Sequence, residues 1–206
     1  MKLYYAMGTC SLAAHISLRE AGLPFTLVRY DMKTELLETG ESLTTVNEKG
    51  FVPVLELPDG QRLTEVSAVL QYIADQKPES GLAPPNGTLE RYRLQEWLNF
   101  IATEIHKAYW PLFHKGAEIE NQHALERLTR RYHWVEEKLG AREFLLGDRF
   151  TVADAYLLTT FNWARLGGLD LAAFPVMTAY RNRLRERPSV LAAMETEGLV
   201  KKKPAA

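Results

Sequence analysis

The chain has a single thiol, Cys10. It stands where a short apolar run, Leu3 to Ala6, breaks at Gly8-Thr9 and a segment of helical composition begins at Ser11. Backbone N–H groups and the positive end of the dipole at a helix start favour a thiolate, lowering a cysteine pKa from about 8.5. A free cysteine is also often a small buried apolar residue, and position alone leaves both uses open. Position 13 is Ala13, so the second thiol of a Cys-x-x-Cys pair is missing, while a mixed disulfide with a small thiol remains accessible. One cysteine excludes an intramolecular disulfide framework and a multi-cysteine metal site.

A second group of reactive types lies about ninety residues on. At about 100° per residue, Leu94, Trp97, Leu98, Ile101, Ile105, Ala108 and Leu112 fall on one stripe of a helix, a core face. Asn99, Thr103, His106 and Trp110 fall on another, roughly opposite. A solvated face normally carries Lys and Glu; an amide, a hydroxyl, an imidazole and an indole can hydrogen-bond and stack. The pattern fits a helix wedged between two others with satisfied polar groups, or one lining a cleft at a domain boundary, where ligand sites are frequent. His15, His114, His123 and His133 fall in no motif and read as surface or structural, with no metal-ligand spacing.

The elements that hold these residues follow from punctuation and period. Ser11 to Ala21 reads as a helix stopped by Gly22 and Pro24, and Phe25 to Tyr30 as a strand. Thr34 to Val46 is expected to be an irregular helical stretch. Val52 to Leu57 and Gln61 to Thr64 flank Pro58-Asp59-Gly60 as a hairpin, and Val66 to Asp75 is helical. The order is a small mixed sheet with one parallel crossover and one hairpin. Lys77 to Gly87, rich in Pro and Gly, reads as a linker, and all beyond Thr88 is helical, with turns near Gly116, Gly140, Gly147, Gly167-Gly168 and Pro188. Thr151-Val152-Ala153-Asp154 is a capping-box pattern that starts a core helix.

Composition bounds the partners. The 206 residues carry 25 Lys+Arg against 26 Asp+Glu, so no basic field favours nucleic acid or an anionic membrane. The Lys201-Lys202-Lys203 end reads as a solvated tail. With 46% hydrophobic residues, the chain can bury a real core. The opening residues lack the apolar run of a signal peptide, no segment is long and apolar enough to span a membrane, and a reducing cytoplasm is the expected compartment.

The motifs in sequence are Lys2 to Tyr5 leading to Gly8-Thr9-Cys10-Ser11-Leu12-Ala13, Gly50 to Leu55, Leu63-Thr64-Glu65, Ala68 to Asp75, Glu96 to Lys107, and Gly147 to Tyr156. This set resembles the glutathione S-transferases, specifically the bacterial beta class, over nearly the whole chain and in order. The resemblance implies an α/β plus all-α fold: an N-terminal thioredoxin-like, glutathione-binding domain over residues 1–80 and a C-terminal helical bundle over 88–206. It implies a cis bond at Val52–Pro53, with the Val52 N–H and C=O pairing with the cysteinyl backbone of glutathione like an added strand. Glu65 would take the ligand's ammonium at the start of the next helix, where backbone N–H groups, including that of Val66, receive the γ-glutamyl carboxylate. Cys10 and His106 would both approach the glutathione sulfur, His106 with a near-neutral pKa suited to proton transfer. Asn99, Thr103 and Glu104 would add glutathione contacts, partly across a homodimer interface. Two positions depart from the pattern: Val66 replaces a serine of many members, and Glu35 a lysine, which Lys33 could substitute.

The implied chemistry is conjugation of the glutathione thiolate, a co-substrate, to a hydrophobic electrophile, with no metal. The electrophile would meet variable aromatic residues near Tyr109, Trp110, Phe113 and Trp163. A cysteine near the sulfur equally permits glutathione-dependent thiol–disulfide exchange through Cys10. The alternative class is a non-catalytic scaffold of the same fold, whose members tend to lose the glutathione-binding residues retained here.

Overall fold

The computed structural model describes residues 1–114 and 116–201, so the lysine tail lies outside the described residues from Lys202 onward. The backbone forms two compact units: Met1–Leu82 with residues 186–201, and Ala83–Arg185.

The first unit begins β1 (Lys2–Tyr5), α1 (Ser11–Glu20), β2 (Thr26–Asp31), β3 (Leu36–Leu37), β4 (Val54–Glu56), β5 (Arg62–Thr64) and α2 (Val66–Asp75). The sheet order is β3-β2-β1-β4-β5. β1 and β2 run parallel through the α1 crossover, and every other neighbouring pair is antiparallel. The β4–β5 hairpin turns at Pro58-Asp59-Gly60; the Asp59 carboxylate accepts the Gln61 N–H at 3.0 Å and Gly60 takes φ +84°. Leu3, Val54 and Leu55 are fully buried on the strands, as are Ala13, Ile16, Val69, Leu70 and Ile73 on the helices.

Thr34 to Val46 departs from its expected irregular helix. Glu35 at φ +58° and Gly40 at φ +89° take the chain out of right-handed helical space. What remains is the two-residue β3 and a 3₁₀ turn at Leu43–Thr45. Leu37, Leu43 and Val46 still reach the core beside Tyr4 and Val54, so burial of three scattered apolar side chains, not helical period, decides the path.

In the second unit α3 (Leu89–Phe100) is capped by Thr88, whose hydroxyl accepts the Arg91 N–H at 3.2 Å. It runs into a π-helical segment, Ile101–His106, then a 3₁₀ turn at Lys107–Tyr109 and α4 (Trp110–Phe113). α5 (Glu118–Leu139), α6 (Val152–Asn162) and α7 (Pro175–Arg185) complete the unit. Leu94, Leu98, Ile101, Ile105 and Ala108 are buried as the apolar stripe requires. Trp97 and Leu112 are not: both are only partly buried, Trp97 packed edge-on to Phe100 and against Trp134 of α5. The linker is docked rather than free, because the buried Arg91 guanidinium donates to the Pro84 carbonyl at 3.2 Å.

The last helix, α8 (Pro188–Thr196), belongs to the first unit, whereas the sequence reads everything after Thr88 as one helical domain. It packs on α1, and the Glu20 carboxylate of α1 accepts from Arg187 and Ser189 at its start. α1 is buried from Ser11 to Leu18 between such neighbours.

Asp154 anchors α6. Its fully buried carboxylate accepts the Thr151 N–H and hydroxyl, each at 2.8 Å, the Leu145 N–H at 2.8 Å and the Tyr180 hydroxyl at 2.6 Å. Removing it would strand several buried donors at once. Asp154→Ala is therefore expected to lower stability by about 3 kcal/mol or more, read as a lower urea midpoint at an unchanged slope.

Candidate functional site

Cys10 is the N-cap of α1 and is buried. Its Sγ donates to the Val52 carbonyl at 3.2 Å, and the Val52–Pro53 bond is cis. The loop that carries it is self-bonded: the Thr9 and Ser11 hydroxyls both donate to the Ala6 carbonyl, at 2.9 and 3.1 Å. Burial pushes the Cys10 thiol up to about 12. The N–H groups of Cys10 and Ser11 pull the other way but are outweighed, and the Glu65 carboxylate adds to the rise. The lowered pKa expected from a helix start is thus overturned by desolvation, and the thiol acts as a protonated donor.

β-pairing gathers the other residues of this wall. Val54 pairs with Thr64 at the open end of the hairpin, so the cis Val52–Pro53 bond and the start of α2 at Glu65 and Val66 both lead directly off that last pair. Glu65 sits at φ +68°, ψ +120°, a backbone strained for an L-residue by about 1–3 kcal/mol. Its side chain makes no capping bond; it reaches out to Lys49 Nζ at 2.8 Å, which also donates to the Thr64 hydroxyl at 3.0 Å. A capping role for Glu65 is therefore not realised, while α2 begins at Val66 with first N–H groups that no intrahelical carbonyl can satisfy. Lys33 and Glu35 lie exposed in the turn after β2.

The Cys10 loop is also held from the far end of the chain. Glu197, fully buried, accepts the Gly8 N–H at 2.9 Å through one oxygen and meets His15 Nδ1 at 2.8 Å through the other. Arg19 Nε donates to His15 Nε2 at 2.9 Å, so that nitrogen carries no hydrogen and Nδ1–H is the donor to Glu197. Gly8 takes φ +68°, a conformation strained for an L-residue, and a Cβ there would stand 3.0 Å from the Leu199 side chain, which would have to yield. His15, unassigned in the sequence, is thus a buried structural residue. No local pattern marks Glu197, because its partners lie about 180 positions away.

On the second unit, Asn99 lies in the last turn of α3, while Thr103, Glu104 and His106 lie on the π-helical segment. Such segments are rare and frequent at functional sites. Asn99 and Thr103 are exposed, and the Thr103 hydroxyl donates to the Asn99 carbonyl at 3.0 Å. Glu104 is engaged by Arg131, which donates through Nε at 2.9 Å and Nη2 at 2.5 Å. His106 Nδ1 lies 2.7 Å from the Tyr156 hydroxyl, and Trp163 closes on its ring at 5.1 Å between centroids. Burial, with a smaller push from the Lys107 ammonium, brings His106 down to about 4, so the near-neutral value expected from the sequence does not hold. Tyr156 was legible only as part of a core helix.

Of the four aromatic residues set aside for an electrophile, three form one cluster. Tyr109 stacks on Phe113 at 5.5 Å, and Trp163 meets both edge-on. Trp110 instead stacks on His114 at 3.7 Å, with Lys107 Nζ 4.7 Å from its ring centre.

Two family models match the chain: Glutathione S-transferase, N-terminal domain, over residues 8–76, and Glutathione S-transferase, C-terminal domain, over residues 100–188. The chain is 44% identical over 200 residues to the glutathione S-transferase GstA of Escherichia coli O157:H7, covering 97% of this chain and 100% of that one. A bacterial beta class glutathione S-transferase from Sphingomonas chungbukensis superposes with a TM-score of 0.93 at 45% identity, covering 97% and 100% of the two chains. A sphingomonad glutathione S-transferase complexed with glutathione gives 0.93 at 43% identity, with the same coverage.

The lowered His106 value fixes a pH dependence. The unfolded imidazole takes up its proton near 6.5 and the folded one only near 4, so the folded state binds fewer protons in between. Stability that is present above pH 6.5 should be lost as pH falls toward 4, by about 3 kcal/mol in all. Urea unfolding at pH 7.5 and 4.5 should show this loss in the parent chain, and His106→Asn should remove that part of it.

Proposed function

Because the chain belongs to the glutathione S-transferases, of the bacterial beta class, we propose that it binds glutathione as co-substrate and conjugates its thiolate to hydrophobic electrophiles. The observation that carries the reading is the Cys10 thiol donating to the carbonyl of Val52 beside a cis proline. This places a protonated sulfur donor next to a backbone edge at the end of β4. Glutathione is read as lying along that edge, its cysteinyl backbone pairing with Val52 beside Pro53. Its γ-glutamyl end is read as meeting the Val66 N–H at the start of α2, with Glu65 taking the ammonium. Asn99, Thr103, Glu104 and His106 are assigned as further glutathione contacts; Glu104 would act while held by Arg131.

In the reaction, glutathione loses its thiol proton to solvent and its sulfur forms a bond to the electrophilic carbon. A halide leaves with the bonding pair, or an epoxide C–O bond opens and its oxygen takes a proton. The chain supplies proximity and hydrogen-bond donors for the sulfur anion: a neutral His106, and the Cys10 S–H once it turns from the Val52 carbonyl to the sulfur. Exchange chemistry needs Cys10 itself as the attacking thiolate, and a thiol pushed up to about 12 is poorly suited to that. Conjugation is therefore favoured over disulfide exchange.

The Tyr109, Phe113 and Trp163 cluster supports an aromatic or apolar electrophile. A half-exposed to exposed aromatic face formed by Trp97, Phe100 and Trp134 supports a homodimer. The lone thiol fits a cytoplasmic role in detoxification.

Retention on immobilised glutathione, with release by free glutathione, is the expected result, and failure to bind would favour the scaffold alternative. His106→Ala should lower kcat/KM for aryl-halide conjugation by about tenfold or more, the scale of one lost donor to a charged group. Cys10→Ala should retain measurable conjugation; complete loss, together with robust disulfide-reductase turnover in the parent chain, would reverse the choice between the two chemistries.

A further inference from the structure

The assignment of His106 as a donor turns on which ring nitrogen carries its hydrogen. We propose that Tyr156 is a positioning residue that holds His106 in the Nε2–H tautomer, by donating its phenolic hydrogen to Nδ1. The proposal rests on reading His106 as a contact to the glutathione sulfur.

The contact is 2.7 Å long. That length is short for a hydrogen bond of either direction, and the direction follows from acid and base strength. An imidazole nitrogen, protonated near about 6.5, is a much stronger acceptor than a phenol oxygen, and a phenol, ionising near about 10, is a stronger donor than a neutral imidazole N–H, so the phenol donates and Nδ1 accepts. Tyr156 is buried to 1% exposure, and its ring meets the imidazole edge-on at 86°. It stands on α6 two residues beyond Asp154, whose carboxylate fixes the start of that helix through bonds to Thr151, Leu145 and Tyr180. Trp163, on the residue that ends α6, bounds the imidazole as well. The hydroxyl therefore has little freedom to move away, and the imidazole little freedom to turn.

The two tautomers have opposite consequences. With Nδ1 accepting from Tyr156, a neutral ring offers an Nε2–H, which can donate to a sulfur anion. With Nδ1–H spent on the phenol oxygen, Nε2 would offer a lone pair, which repels that anion and would act instead as a base. Burial, which keeps the ring neutral near pH 7, makes the tautomer the deciding variable. Tyr156 thus selects thiolate stabilisation over proton abstraction without touching the reacting atoms.

The test is nitrogen NMR of the full chain, ¹⁵N-labelled at histidine, at pH 7, compared with Tyr156→Phe. In the parent chain His106 should show a protonated Nε2 and an unprotonated, hydrogen-bonded Nδ1. In Tyr156→Phe the Nδ1 resonance should move to that of an unbonded nitrogen and the Nδ1–H tautomer should become populated. Conjugation kcat/KM should fall by about tenfold in that variant, the scale of one lost hydrogen bond in a buried site. An Nδ1–H tautomer in the parent chain, or His106 shifts unchanged by the substitution, would overturn the proposal. If Tyr156→Phe does not fold, the parent spectrum alone decides. If the parent chain shows the expected tautomer yet fails to bind glutathione, the functional reading falls while the tautomer assignment stands.

Discussion

Removal from water of polar groups that must each find a partner governs this structure. The Cys10 thiol is buried and donates to Val52. The Gly8 N–H just before it is buried against Glu197, and His15 shares that carboxylate. In the second unit Asp154 satisfies four donors and Tyr156 satisfies His106. Each bond adds modest net stability, but each would cost much more if one partner were lost, so the site residues are held where the satisfied networks put them.

The same desolvation sets the chemistry. It pushes Cys10 up to about 12 and His106 down to about 4, so both groups are neutral across the physiological range. Neutral donors suit the stabilisation of an anion that develops on a bound thiol, and they suit a nucleophile or a proton shuttle less well. The lone cysteine thus reads as a hydrogen-bond donor in this chain, with Ala13 where a Cys-x-x-Cys pair would have its second thiol.

Much of this was legible in the sequence because the signals were local. Gly22, the Pro58-Asp59-Gly60 turn and the apolar period fixed α1, the hairpin and α2 to within a residue or two. The motifs around Cys10, Val52-Pro53 and Glu65 and the polar stripe from Asn99 to His106 are the local signals on which the proposed site rests. What was not legible depended on contacts far apart in the chain. The return of α8 to the first unit rests on Glu20 meeting Arg187 and Ser189. The π-helical turn breaks the 3.6 period that a stripe analysis assumes, and three buried leucine and valine side chains override the helical reading of Thr34 to Val46. Both pKa expectations missed in the same way, since helix dipoles and residue type can be read locally but burial cannot.

The central claim is that glutathione lies on the backbone edge beside Cys10. Titrating the ¹⁵N-labelled chain with glutathione and following its amide resonances tests this most directly. The account predicts saturable shifts concentrated at Cys10, Val52 and Val66, with a smaller set at Thr103 and His106. Saturable shifts that leave Val52 and Val66 unmoved, or no shifts at millimolar glutathione, would contradict it.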